Sequence, residues 1–129
     1  MKREAVRTAG APAAIGPYSQ AVRAGGFLFC SGQIPLDPST GKLVDGGIEA
    51  QAERVLKNLE AVLTAGGATL RSVVKTTVYL VDLGDFPAMN LVYGKFFPED
   101  PPARATVQIG KLPAGARVEI DAVAGCFSS

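Results

Sequence analysis

The clearest pattern in the chain is an amphipathic stretch from Ile48 to Ala65. Apolar residues recur there at spacings of three and four, which predicts a helix with one buried stripe. Charged residues fall largely on the other side, and Glu53 and Lys57 have the favourable i,i+4 order. The pair Gly66-Gly67 predicts the end of this helix. We interpret the stripe as core packing; it comprises Ile48, Ala52, Val55, Leu56, Leu59, Val62 and Leu63.

A second helix is predicted after the β-branched run at residues 72–81. Asp85 is suited to be its N-cap, and Pro87 falls in its first turn, where proline is tolerated. This helix also carries an apolar stripe, which comprises Phe86, Met89, Tyr93, Phe96 and Phe97.

The remaining periodic runs predict strands. Gly25-Gly26 is suited to a hairpin turn, and the segment from Asp37 to Gly41 predicts a turn built on proline and glycine. The resulting order, β-β-(β)-α-β-α-β-β, predicts an α+β fold with two helices on one face of a sheet. The predicted strands cover residues 19–24, 27–33, 72–81, 105–109 and 117–124, with a short third strand near 42–44.

The residue patterns of two of these strands predict that both faces of the sheet are buried. In the last strand, Val118 and Ile120 alternate with Glu119 and Asp121, so its apolar side should meet the helices. The strand at 72–81 carries apolar residues on both sides. Because two helices can cover only one face of the sheet, we expect the other face to pack against a neighbouring subunit.

Length and charge limit the possible functions. The 129 residues predict a single domain over residues 1–129, and the net charge is only +1. Lys2-Arg3 is the one basic cluster, and we expect it at a frayed end. The scattered basic residues therefore argue against a nucleic-acid partner. No run is long enough to span a membrane, and we expect a cytoplasmic protein with no membrane partner.

The chain contains no histidine, which excludes much familiar chemistry. Ser-His and Cys-His nucleophiles and zinc sites of the Cys/His kind cannot be built. The two cysteines, Cys30 and Cys126, are expected to be free thiols, with Cys30 an inert core residue. The remaining residue types are suited to binding an anion and orienting a water.

Arg104 is the most prominent candidate for anion binding. It follows the proline-rich segment 97–102 at the start of a predicted strand, so a stiffened loop presents it. A guanidinium is always charged and can bind a carboxylate through two parallel hydrogen bonds. An ordinary ion pair on the surface or at an interface is the alternative for this residue.

Several short blocks, taken together, closely resemble the RidA (YjgF-type) family. The similarity runs in order through nearly the whole chain without large gaps. The IGPYSQA and SGQIP blocks, combined with PAR at this spacing, make it specific. The blocks are residues 11–21 (APAAIGPYSQA), 30–35 (CSGQIP), 74–78 (VKTTV), 102–105 (PARA), 111–113 (KLP) and 118–120 (VEI).

This resemblance implies a chorismate-mutase-like fold with one mixed sheet, assembled as a homotrimer with a site in each cleft between subunits. It implies hydrolysis of 2-imino acids, such as 2-iminobutanoate and 2-iminopropanoate, to 2-oxo acids and ammonia. No metal or cofactor is expected. Alternatives on the same fold are a metabolite-binding regulatory module and an RNA-directed translation inhibitor or ribonuclease; a chaperone-like role also stays open.

The resemblance also assigns the site. Arg104 would hold the substrate carboxylate, and Glu119 would act on the water. A nearby guanidinium would keep the pKa of Glu119 low, which favours orientation of the water over proton abstraction. Pairing of Glu119 with Arg117 or Lys75 is the structural alternative. Some members carry cysteine in place of Thr106, where only main-chain groups are expected to touch ligand. The substrate-binding set comprises Tyr18, Ser31, Gly32, Asn90, Arg104 and Thr106.

Overall fold

A computed structural model describes residues 2–126 of the chain. Two helices pack on one face of a six-stranded sheet, as the hydrophobic pattern predicts. The helices are α1 (Ile48–Ala65) and α2 (Phe86–Phe96), and the strands are β1 (Arg3–Val6), β2 (Ala21–Ala24), β3 (Phe27–Gln33), β4 (Val73–Leu80), β5 (Ala103–Gln108) and β6 (Val118–Gly125).

The sheet is mixed, and its strand order is β1-β2-β3-β6-β4-β5. Every neighbouring pair is antiparallel except β4 and β5, which are parallel and joined through α2. Strand β5 therefore lies at one edge of the sheet, beside the strand that precedes α2. This placement brings the start of β5, which carries Arg104, next to the second helix.

The helix predictions are confirmed. The bounds of α1 match the predicted ones, and Val55, Leu59 and Val62 are fully buried beneath it. Gly67 adopts a φ of +84°, which glycine accepts readily and which ends the helix as predicted. Asp85 occupies the N-cap position of α2, but its carboxylate makes no capping hydrogen bond. It instead accepts two hydrogen bonds from Arg117, the shorter at 2.7 Å.

The third β element of the predicted order is in the wrong place. Residues 42–44 pair back on the segment before the turn through a single bridge, between Leu36 and Leu43, and form no strand of the sheet. The extra strand is β1, in the segment that we expected to be frayed. It pairs antiparallel with β2, and Glu4 forms a 3.1 Å ion pair with Arg23 there. Four residues are too few to show a hydrophobic periodicity. Strand β1 forms because it can pair with β2, the outer strand of the β2–β3 hairpin.

The two faces of the sheet differ as predicted. On the helix side, Val118, Ile120 and Ala124 are fully buried. On the opposite side, Phe27, Phe29 and Val107 are between 41% and 48% exposed in the single chain. A bulge between Val73 and Lys75 shifts the alternation at the start of β4, which leaves Val74 exposed. The face away from the helices is thus partly apolar and uncovered; its burial by another subunit stays a prediction.

No helix in the described range 2–126 is both long and apolar enough to cross a membrane.

Candidate active site

Four of the predicted site residues line one cavity of about 410 Å³. Tyr18 comes from the loop before β2, Ser31 and Gly32 from β3, and Glu119 from the start of β6. Apolar side chains on the segment after β3 form another wall, Ile34 and Leu36 among them. The structure therefore joins residues that lie 101 positions apart in the chain, Tyr18 and Glu119.

Gly32 provides the space in which the Glu119 side chain lies. The register between β3 and β6 shifts between Cys30 and Gln33, so Ser31 and Gly32 form a bulge opposite Asp121. A Cβ added at Gly32 would lie 2.8 Å from Cδ of Glu119, closer than side chains tolerate. Any larger residue at position 32 would therefore displace the side chain of Glu119.

The hydroxyl of Ser31 positions the loop that carries Tyr18. Ser31 Oγ donates a 2.6 Å hydrogen bond to the Ser19 carbonyl, and Ser31 N donates to the Gln20 carbonyl. Tyr18 itself is 52% exposed, and its backbone N–H closes a tight turn on Gly16. The backbone on either side of Tyr18 is therefore fixed by hydrogen bonds, while its ring is half exposed to solvent.

The pKa of Glu119 is raised, chiefly because its carboxylate is partly buried and secondly because the charge of Asp121 is near. This differs from the low value expected beside a guanidinium. The predicted structural alternative is also wrong for the described residues, because Arg117 pairs with Asp85 and no basic group lies within 4 Å of Glu119. Within one chain Glu119 faces the cavity without a cationic partner.

Arg104 lies in a second cleft, with Asn90 and Gly94 of α2 and the prolines Pro101 and Pro102. Its guanidinium carbon lies 4.7 Å from the ring centroid of Tyr93 and 5.4 Å from that of Phe86. In the described part of the chain no carboxylate lies within 4 Å of it, so the ion-pair alternative fails within a single chain. Aromatic faces hold the cation and leave its N–H groups available to an anion.

Arg104 and Glu119 lie on opposite faces of the sheet. Arg104 is aligned with Thr76, which is buried under α2, whereas Glu119 is aligned with Tyr79, one of the alternate positions that face away from the helices. Thr106 shares the face of Arg104, two residues further along β5. The predicted site is thus divided in one chain: Tyr18, Ser31, Gly32 and Glu119 form one half, and Asn90 and Arg104 form the other.

Three buried side-chain amides that the sequence analysis missed hold the walls of the Glu119 cavity. Gln20 donates to the carbonyls of residues 8, 11 and 12, and Asn58 donates to those of residues 34 and 36. Gln51 accepts from the backbone N–H of Arg117, just before β6. Gln51 and Asn58 are seven residues apart on the buried side of α1, and a polar residue at such a position is the signal that could have identified them.

The described residues contain no group of three or more His, Cys, Asp or Glu that could hold a metal ion. Cys30 is buried, and burial raises the pKa of its thiol to about 12, in line with an inert core residue.

Comparison with known proteins places the chain among close relatives. A family model described as Endoribonuclease L-PSP matches residues 8–126. The protein DfrA of Myxococcus xanthus is 57% identical over 126 residues, with 96% of each chain covered. A mouse protein named 2-iminobutanoate/2-iminopropanoate deaminase is 50% identical over 122 residues, which cover 95% of this chain and 90% of the relative.

Solved structures share the same fold. The crystal structure of a Thermotoga maritima protein matches with a TM-score of 0.95 at 49% identity, covering 99% of this chain and 100% of the other. The structure of TdcF from Escherichia coli with bound serine matches with a TM-score of 0.92 at 39% identity, covering 96% and 99%. A protein with this fold therefore holds a small amino acid.

Proposed function

Because the chain belongs to the RidA (YjgF-type) family, we propose that it hydrolyses 2-imino acids, such as 2-iminobutanoate and 2-iminopropanoate, to 2-oxo acids and ammonia. The observation that carries the proposal is Arg104, a guanidinium held over two aromatic rings beside Asn90 with no acidic partner within the described chain. Such a group is ready to take a substrate carboxylate. The name of the mouse relative supports the substrate class.

The chemistry requires little more than positioning. Water adds to the imine carbon and forms a tetrahedral amino alcohol. The first proton of the water would pass through Glu119 to the imine nitrogen, and the hydroxyl proton of the intermediate would follow it. The C–N bond then breaks, ammonia leaves, and the C=O bond of the 2-oxo acid forms. Arg104 would hold the carboxylate, and Glu119 would orient the water and receive its proton. No step needs a metal or a cofactor.

A complete site would need two copies of the chain. Arg104 and Glu119 lie on opposite faces of one sheet, so a cleft that contains both requires the Arg104 half of one copy and the Glu119 half of another. The exposed Phe27 and Phe29 give the outer face an apolar surface that a neighbour would cover. We propose the homotrimer implied by the resemblance, built from single-domain subunits; a cytoplasmic location stays a prediction.

Arg104→Ala tests the proposal. Added to a threonine dehydratase assay, the wild-type protein should accelerate the formation of 2-oxobutanoate, and the variant should retain only a small residual part of that acceleration. Arg71→Ala is a matched control, since Arg71 is 87% exposed and pairs only with Glu99 among the described residues. Equal acceleration by Arg104→Ala and wild type would contradict the role of Arg104 in holding the carboxylate.

The RNA-directed alternative has one observation in its favour, the description of the family model as an endoribonuclease. The net charge of +1 and the lack of histidine argue against it. Steeply salt-dependent RNA binding would favour this alternative. Binding of 2-oxo acids without any imine hydrolysis would favour the metabolite-binding module.

A further inference from the structure

Among residues 2–126, aromatic rings lie against the cation of Arg104 and no carboxylate lies within 4 Å of it. Its guanidinium carbon is closer to the Tyr93 ring, at 4.7 Å, than to the Phe86 ring, at 5.4 Å. An acidic neighbour would compete with a substrate carboxylate for the same N–H groups. A ring attracts the cation through its face and leaves those N–H groups unoccupied.

Tyr93 is itself fixed on two sides. Its hydroxyl hydrogen-bonds to Thr76 Oγ1 at 2.7 Å, and its ring packs against Phe97 with centroids 4.7 Å apart. Tyr93 is 5% exposed and Thr76 is fully buried. Thr76 is also the residue aligned with Arg104 between β4 and β5. The ring under the guanidinium is thus anchored to the strand beside the one that carries Arg104.

We propose that Tyr93, fixed by Thr76, is a positioning residue that sets the orientation of Arg104 for carboxylate binding. The inference rests on the proposed role of Arg104 in substrate binding. Tyr93 acts through the guanidinium, so its loss should weaken binding of the carboxylate only where Arg104 is present.

The first test observes Arg104 directly and needs no substrate. In NMR spectra of the full-length protein, the Nε–H signal of Arg104 should be sharp and shifted upfield by the ring current of Tyr93. Tyr93→Leu should reduce the shift to the smaller part that the more distant Phe86 ring supplies. Phe96→Leu, the loss of a partly buried ring of α2 that lies outside the Arg104 cleft, should preserve it. An Arg104 signal without an upfield shift in the wild-type protein would overturn the proposal, even if Tyr93→Leu failed to fold.

The second test is a double-mutant cycle on 2-imino acid hydrolysis. Tyr93→Leu should raise KM by about tenfold, whereas Tyr93→Phe, which keeps the ring but loses the hydrogen bond to Thr76, should raise it by only about threefold. In the Arg104→Ala background, Tyr93→Leu should change neither the residual turnover nor the binding of 2-oxobutanoate further. An equal effect of Tyr93→Leu in both backgrounds would assign it a merely structural role and overturn the proposal.

Failure of the proposed function would look different. A wild-type protein without imine hydrolysis would refute the deaminase proposal, and the NMR signal would still decide whether Tyr93 orients Arg104.

Discussion

The side chain of Glu119 lies directly over the backbone of Gly32. A Cβ at residue 32 would lie 2.8 Å from Glu119 Cδ and 3.0 Å from Cγ. The bulge in β3 brings the two strands to this close approach, and the absence of a side chain at Gly32 makes it possible. The position of the carboxylate in the cavity therefore depends on this glycine.

Gly32→Ala should displace Glu119 and lower kcat by about tenfold or more, because a catalytic group moved by about 1 Å loses its alignment. Assays of 2-imino acid hydrolysis would measure this loss. Gly110→Ala is the control, since a Cβ there meets nothing within 4 Å and the backbone needs no positive φ. Full activity of Gly32→Ala would show that catalysis does not need the close contact between Glu119 and the backbone of Gly32.

The raised pKa of Glu119 predicts a pH dependence that Asp121 controls. If the carboxylate form orients the water, activity should rise with pH through the pKa of Glu119, which the nearby charge of Asp121 raises. Asp121→Asn removes a like charge and should shift the acid limb of the kcat/KM profile to lower pH. An unchanged kcat/KM profile would show that Asp121 does not raise the pKa of Glu119.

The same raised pKa has a consequence for stability. A carboxyl whose pKa is raised by folding contributes stability below its unfolded pKa, and this contribution is lost as pH rises through the folded value. The ionised Glu119 should therefore oppose folding at neutral pH. In a monomeric variant such as Phe29→Glu, where no neighbouring Arg104 faces the carboxylate, Glu119→Gln should raise the melting temperature at neutral pH, and the difference should disappear in acid.

The exposed apolar face of the sheet predicts a dependence on assembly. Phe29 is 48% exposed on that face, so Phe29→Glu should convert the oligomer to monomers and abolish hydrolysis. Light scattering coupled to size-exclusion chromatography would measure the change. Leu91→Glu on α2, which is 71% exposed, should leave both the mass and the activity unchanged. An active monomer would contradict the proposal of sites shared between subunits.

Local patterns were sufficient to predict most of the fold. The apolar spacing in Ile48–Ala65 set both ends of α1, and Gly25-Gly26 located the hairpin. Strand β1 was not predicted, because its four residues include only one buried side chain, Val6, and so show no hydrophobic periodicity. Its existence depends on pairing with β2, a contact across almost twenty residues.

The site was less predictable, because chain order does not determine which face a residue occupies. Arg104 and Glu119 were both identified from the sequence, but their separation onto opposite faces follows from the register of β4 with β5 and β6. The raised pKa of Glu119 was likewise not predictable from the sequence, because burial of the carboxylate and the nearby charge of Asp121 cause it. Tyr93 was assigned only to a core stripe, although it also lies against the cation of Arg104.

The central claim is that Arg104 and Glu119 act in one site supplied by two copies of the chain. Arg104→Ala and Glu119→Gln subunits, differently tagged and co-expressed, would yield mixed oligomers that carry both tags. Each parent should be inactive alone. In a mixed trimer about one site in three should combine an intact Arg104 with an intact Glu119, so about a third of wild-type activity should return. Mixed oligomers as inactive as their parents would contradict the claim.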